Sequence, residues 1–113
     1  MNRVRKLGLL SILILLVPAA HAAIVSANAT RITRVMAYTS FGNGDIAVWA
    51  QGLAQGCDGY WFRTTEINGK EIYAQFMLAQ QTQQPLWIWA DDAQIWTGTS
   101  SRFCKIYSIA NEN

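Results

Sequence analysis

Residues 68–90 read NGKEIYAQFMLAQQTQQPLWIWA, and within them the period of the apolar side chains changes. Ile72, Tyr73, Phe76, Met77 and Ala79 fall on one broad face at helical spacing. Asn68, followed three residues later by Glu71, has the form of a capping box that opens a helix. Gln84 stands before Pro85 and closes it, because a residue preceding proline is steered away from helical geometry. The spacing predicts a helix over about residues 69–82. From Leu86 the period drops to two, with Leu86, Ile88 and Ala90 sent to one face and Trp87 with Trp89 to the other, as in a strand. A strand apolar on both sides is either covered on both or presents an aromatic surface.

Working outward, the flanks read as strands. Before the helix, residues 31–39 are rich in β-branched and aromatic side chains. The cluster Ser40-Phe41-Gly42-Asn43-Gly44-Asp45 marks a turn, and Ile46 with Val48 then alternates against Ala47 with Trp49, so the pair predicts a hairpin. Residues 57–65 form a third strand. Residues 23–30 fit either a flexible arm or a first short strand. After the helix come residues 86–90, a tight turn at Asp91-Asp92, residues 94–98 and residues 102–109. There is no internal repeat, low-complexity tract or linker. Strands on both sides of one helix indicate a small, mostly β, α+β domain, or a small barrel of five to six strands with the helix between the third and fourth covering one end.

The 113 residues carry a formal charge of +2, but the basic side chains are unevenly placed. Arg3, Arg5 and Lys6 precede an apolar run from Leu7 to Val17, and Pro18 and Ala20-His21-Ala22 follow. This is the order of a secretory signal peptide, cleaved after Ala22, and the run is too short for a permanent membrane anchor. Residues 1–22 take with them three of the nine cations, none of the seven acids and the one histidine. The remaining 91 residues, 23–113, suit a single domain with a net charge of −1 and all 13 aromatic residues. Export places the protein in the periplasm or outside the cell, where Cys57 and Cys104 meet an oxidising environment and pair; two separate thiols are the competing reading.

These counts narrow the function classes. Without histidine the mature chain lacks the commonest general base and metal ligand. It has no Gly-rich phosphate loop and no Cys/His cluster, so neither a cofactor nor a metal is expected. Asp91-Asp92 is the only adjacent acidic pair, but neighbours on a strand point apart and the pair reads as a turn. Ser100-Ser101 near Arg102 and Lys105 lacks a flanking catalytic pattern, and Asn28-Ala29-Thr30 matches a glycosylation sequon by chance. The expectation is a protein that is not an enzyme. Nucleic acid is also disfavoured, since stacking aromatics are present but the basic groove is missing. Five tryptophans exceed what so small a core needs, and indole suits both sugar stacking and interface anchoring. The candidate ligand-binding residues are Tyr60, Trp61, Trp87, Trp89 and Trp96.

One family has a similar order of elements. Cys57 with Tyr60-Trp61 in the third strand, the Lys70–Gln83 helix, Pro85-Leu86-Trp87-Ile88-Trp89, Ile95-Trp96 and Cys104 in the last strand resemble the OB-fold B subunits of pentameric bacterial toxins, particularly the pertussis-like and subtilase-cytotoxin branch. The similarity spans about residues 45–109. It implies an OB-like barrel, a homo-oligomeric ring, pentameric in that family, and glycan binding on the barrel's side. No counterpart of that family's serine-containing sialic-acid loop is present, so no glycan contact is carried over. Two function classes follow: a glycan-binding module, and an accessory or inhibitor subunit that meets an envelope protein through a strand edge.

Overall fold

The computed structural model describes residues 23–111, so the leader read over residues 1–22 lies outside the described residues. Strands β1 (Ile24–Thr30), β2 (Ile32–Ala37), β3 (Asp45–Ala50) and β4 (Gly59–Arg63) precede helix α1 (Gly69–Thr82), and β5 (Leu86–Ile95) and β6 (Phe103–Asn111) follow it. They form one six-stranded sheet in the order β1-β5-β6-β4-β3-β2. Every pairing is antiparallel except β4 with β6, where Gly59, Tyr60 and Trp61 lie opposite Phe103, Cys104 and Lys105. At that crossing a Cβ on Gly59 would run into the Phe103 ring, so the close approach of the two strands requires glycine. The ladder does not close on itself, yet its two outermost strands, β1 and β2, are separated in the chain by Arg31 alone. The corner there is clamped: the Thr30 hydroxyl donates to the Gly52 carbonyl at 2.9 Å and accepts the Gly52 N–H at 2.7 Å, and the Gln51 N–H donates to the Arg31 carbonyl.

Alternation separates two apolar layers, as the strand patterns predict. Ile46 and Val48 of β3, Tyr60 and Phe62 of β4, Leu86, Ile88 and Ala90 of β5 and Ile106 of β6 share the main core with Phe76 and Ala79 of the helix. Phe76 stacks on Phe62 with ring centroids 5.5 Å apart. Ala47, Trp61, Trp96 and Phe103 form a second cluster, with Tyr38 and Trp49 packed against it. The Cys57–Cys104 disulfide is present, its Cα atoms 5.6 Å apart, and both residues are buried.

Two local expectations are corrected. Asn68 makes no side-chain cap, because it lies in the left-handed region at φ 59, ψ 13, whereas a capping residue sits in the β region. Tight turns from Arg63 through Glu66 to Gly69 force that geometry, leaving the Asn68 carbonyl to accept the Ile72 N–H at 3.0 Å. At the other end Gln83 is also left-handed, and its side-chain amide donates to the Gln80 carbonyl at 2.6 Å ahead of Pro85.

Asp91-Asp92 is no turn: β5 runs through it to Ile95 as one strand. The register against β6 shifts between Asp91, opposite Lys105, and Ile95, opposite Cys104. Asp91 stabilises the resulting bulge by accepting from the Ala93 N–H at 2.9 Å and the Gln94 amide at 2.8 Å. Of residues 23–30, open between arm and strand, Ile24–Thr30 form the edge strand β1.

Candidate functional site

The five candidate aromatic residues divide by environment. Tyr60 is fully buried at 0% exposure, and its phenol oxygen accepts the Ala54 N–H at 2.8 Å. Burial pushes its pKa above the ordinary tyrosine value, with the Ala54 hydrogen bond partly opposing. Trp96 is 3% exposed; its indole N–H donates to Asp45 Oδ2 at 2.9 Å, and Tyr38, Phe41 and Phe103 surround its ring at 5.5–5.9 Å. Trp61 is 6% exposed and donates to the Gln94 carbonyl at 2.9 Å. The Arg63 guanidinium and the Lys105 ammonium lie over its ring, 5.0 and 5.3 Å from the centroid, and both cations reach Glu66 Oε1. The rings of these three residues are occupied by the protein itself. Trp49, half-buried, likewise carries Arg34 at 4.8 Å and meets the edge of Phe103.

Trp87 and Trp89 are different. Both are half-buried on the outer face of β5, with ring centroids 6.1 Å apart and planes within 22°. Their neighbours across the ladder are short: Trp89 lies between Ser26 of β1 and Ser108 of β6, and Trp87 lies opposite Ala110. Directly opposed residues project from the same face, so these small side chains border the indoles without covering them. On the β1 side the register breaks between Ala27 and Thr30, where Ala29 takes φ 45 and Asn28 is exposed. The candidate site therefore contracts from five aromatics to an aromatic shelf of two.

Other features lie outside the earlier candidates. Tyr107 is 68% exposed, at the register shift between Trp89 and Ala90 where two β6 residues span one step of β5. The bulge cancels the alternation that would have signalled its orientation, so no sequence pattern marks it. A cavity of about 150 Å³ opens beside the second half of the helix, lined by Leu78, Thr82, Pro85 and Asn111 among others. Asp91, opposite Ile24 and two residues beyond Trp89 on β5, has a pKa held below the ordinary aspartate value, first by the Gln94 amide and then by the Ala93 N–H. Lys105 is committed to Glu66 at 2.7 Å, and no group of three or more metal-ligating side chains occurs among the described residues. No helix among them is long and apolar enough to cross a membrane. The chain matches no protein family, curated relative or solved structure.

Proposed function

We propose that this chain is a non-enzymatic binding module of the periplasm or the extracellular space, and that it takes a glycan on the Trp87–Trp89 shelf. The observation that carries the reading is the pair of near-parallel indoles, half-exposed and bordered by Ser26, Ser108 and Ala110. Apolar C–H faces of a sugar stack on such rings, while serine hydroxyls at their rim offer donors and acceptors to sugar hydroxyls. The strand order, the single parallel pair β4–β6, the helix between β4 and β5 and the corner at Arg31 support an OB-like barrel. The disulfide supports an oxidising compartment.

The test is a glycan array with the exported protein, followed by tryptophan-fluorescence titration of the best hit. Replacing Trp87 and Trp89 by alanine is expected to weaken that binding by about thirtyfold or more each, the lower end of an interface anchor's contribution. An array without hits and a fluorescence signal that no glycan changes would overturn the proposal.

A protein partner in the envelope is the second reading, favoured by exposed Tyr107 and Ile24 near the same strands. Stoichiometric capture of one envelope protein, lost in the same two variants, distinguishes it. The homo-oligomeric ring implied by the resemblance to toxin B subunits is tested separately by sedimentation.

A further inference from the structure

We infer that the Asp92 carboxylate is the receptor for the α-ammonium group that export processing creates at Ala23. The Ala23 N–H donates to Asp92 Oδ1 at 3.1 Å, and the Asp92 N–H donates back to the Ala23 carbonyl at 3.1 Å. This reciprocal pair continues the β1–β5 ladder one step beyond Ile24 and Asp91. Ala23 N–H is the only partner of the Asp92 side chain among the described residues. The residue so held is the one that the Ala20-His21-Ala22 pattern makes the first of the mature chain, and the inference rests on that export reading.

Processing adds water across the Ala22–Ala23 peptide bond, through a leader-cleaving endopeptidase of the export route. Ala22 leaves with a new carboxylate, and Ala23 keeps the nitrogen, which protonates. The donor 3.1 Å from Asp92 Oδ1 then changes from a neutral amide to a cation, and the hydrogen bond becomes charge-assisted. Chain termini fray unless tied down, and β1 is an outer strand with β5 as its only partner in the sheet. Three residues after Ala23, Ser26 borders Trp89, so the ion pair tethers the strand that forms one rim of the shelf.

The ladder and its hydrogen bonds place charged groups of β5, of β6 and of the turn before β6 near the new terminus. Asp92 and Asp91 bring two carboxylates; Arg102 Nη2 donates to the Asp92 carbonyl at 3.1 Å, and Lys105 lies opposite Asp91. A cation placed against a carboxylate holds its proton to higher pH, so the folded α-amino group titrates above its ordinary range of about 7.7–8.0. Its contribution to stability is fully present below that range and is lost as pH rises through the raised value.

The experiment uses the full chain, expressed with its leader and purified after export. Intact mass reports the processing point, with removal of residues 1–22 expected; a retained leader or another cut overturns the export reading and the inference with it. With Ala23 as the first residue, the α-amino pKa is measured by NMR of the selectively methylated amine. It is expected above the ordinary range and is expected to return to it in Asp92→Asn. Acetylating the α-amine of the wild-type protein provides a second measurement, with faster amide exchange expected from Ile24 to Ala27. An ordinary α-amino pKa that Asp92→Asn leaves unmoved overturns the capture while leaving the export reading intact.

Discussion

Replacing Cys57 and Cys104 together by alanine is expected to lower the thermal midpoint by about 20 °C. The disulfide spans a sequence separation of 47, so it closes a loop that includes all of β4, α1 and β5. In the chain-entropy account, freeing a loop of that length in the unfolded state costs about 4 kcal/mol. A domain of roughly 90 ordered residues unfolds with an entropy of about 0.19 kcal/mol/K, and the quotient gives the stated shift. Its total stability is on the order of 5–13 kcal/mol, so the loss removes roughly 30% or more. Alanine is the right replacement because Cys104 is fully buried between Tyr60 and Ile95, where a serine hydroxyl would add a desolvation penalty of its own. Calorimetry of the double variant, with reduced wild-type protein as a parallel sample, measures the effect. A fall of less than about 5 °C in both would refute the reasoning, placing the stability in the two apolar clusters rather than in the cross-link.

Two further outcomes concern buried and engaged acids. Asp45→Ala removes the acceptor of the Trp96 indole and the partner of Arg63 Nε at 3.0 Å; a loss on the order of 3 kcal/mol is expected in urea unfolding, against about 1 kcal/mol for Asp45→Asn, which retains an acceptor. The lowered pKa of Asp91 means that its stabilising contribution is present above the ordinary aspartate value near pH 4 and is lost as pH falls through the folded value. Asp91→Asn is expected to flatten the acid limb of a stability–pH profile below about pH 4, and an unchanged limb counts against the role assigned to Asp91 in the bulge.

How much of this was legible in the sequence depends on how local each cause is. The helix boundaries, Gly69 to Thr82, follow from a change of period and from Pro85, both readable within a few residues. The facing of Ile46 and Val48 against Ala47 and Trp49, and of Leu86, Ile88 and Ala90 against Trp87 and Trp89, follows from strand parity. Parity states which residues share a face but not whether something covers it. Arg63 covers Trp61 from two positions along the same strand, but Lys105 over Trp61 and Tyr38 and Phe41 beside Trp96 come from other segments, a fact that no local window contains. Asp45 reads as the last residue of a turn and is instead the buried first residue of β3, identified by a tryptophan 51 positions away. Asp91-Asp92 looks like a turn for the same reason: two adjacent acids are common in turns, and the bulge is defined by the opposing strand β6.

The strand order also constrains how a chain emerging from its N-terminus can fold. β2, β3 and β4 are sequential antiparallel neighbours and can pair as each one is made. β1 emerges before them, but its partner is β5, and the Ala23–Asp92 contact joins positions 69 residues apart. β4 likewise waits for β6, the last strand of all, to form the parallel pair. Half of the sheet can thus form while the chain is still emerging, whereas the earliest strand remains an unpaired edge until the final third of the chain is available. Such long-range closure slows folding, and it makes the nascent β1 segment, rather than any part of the native surface, the point most exposed to mispairing with another chain.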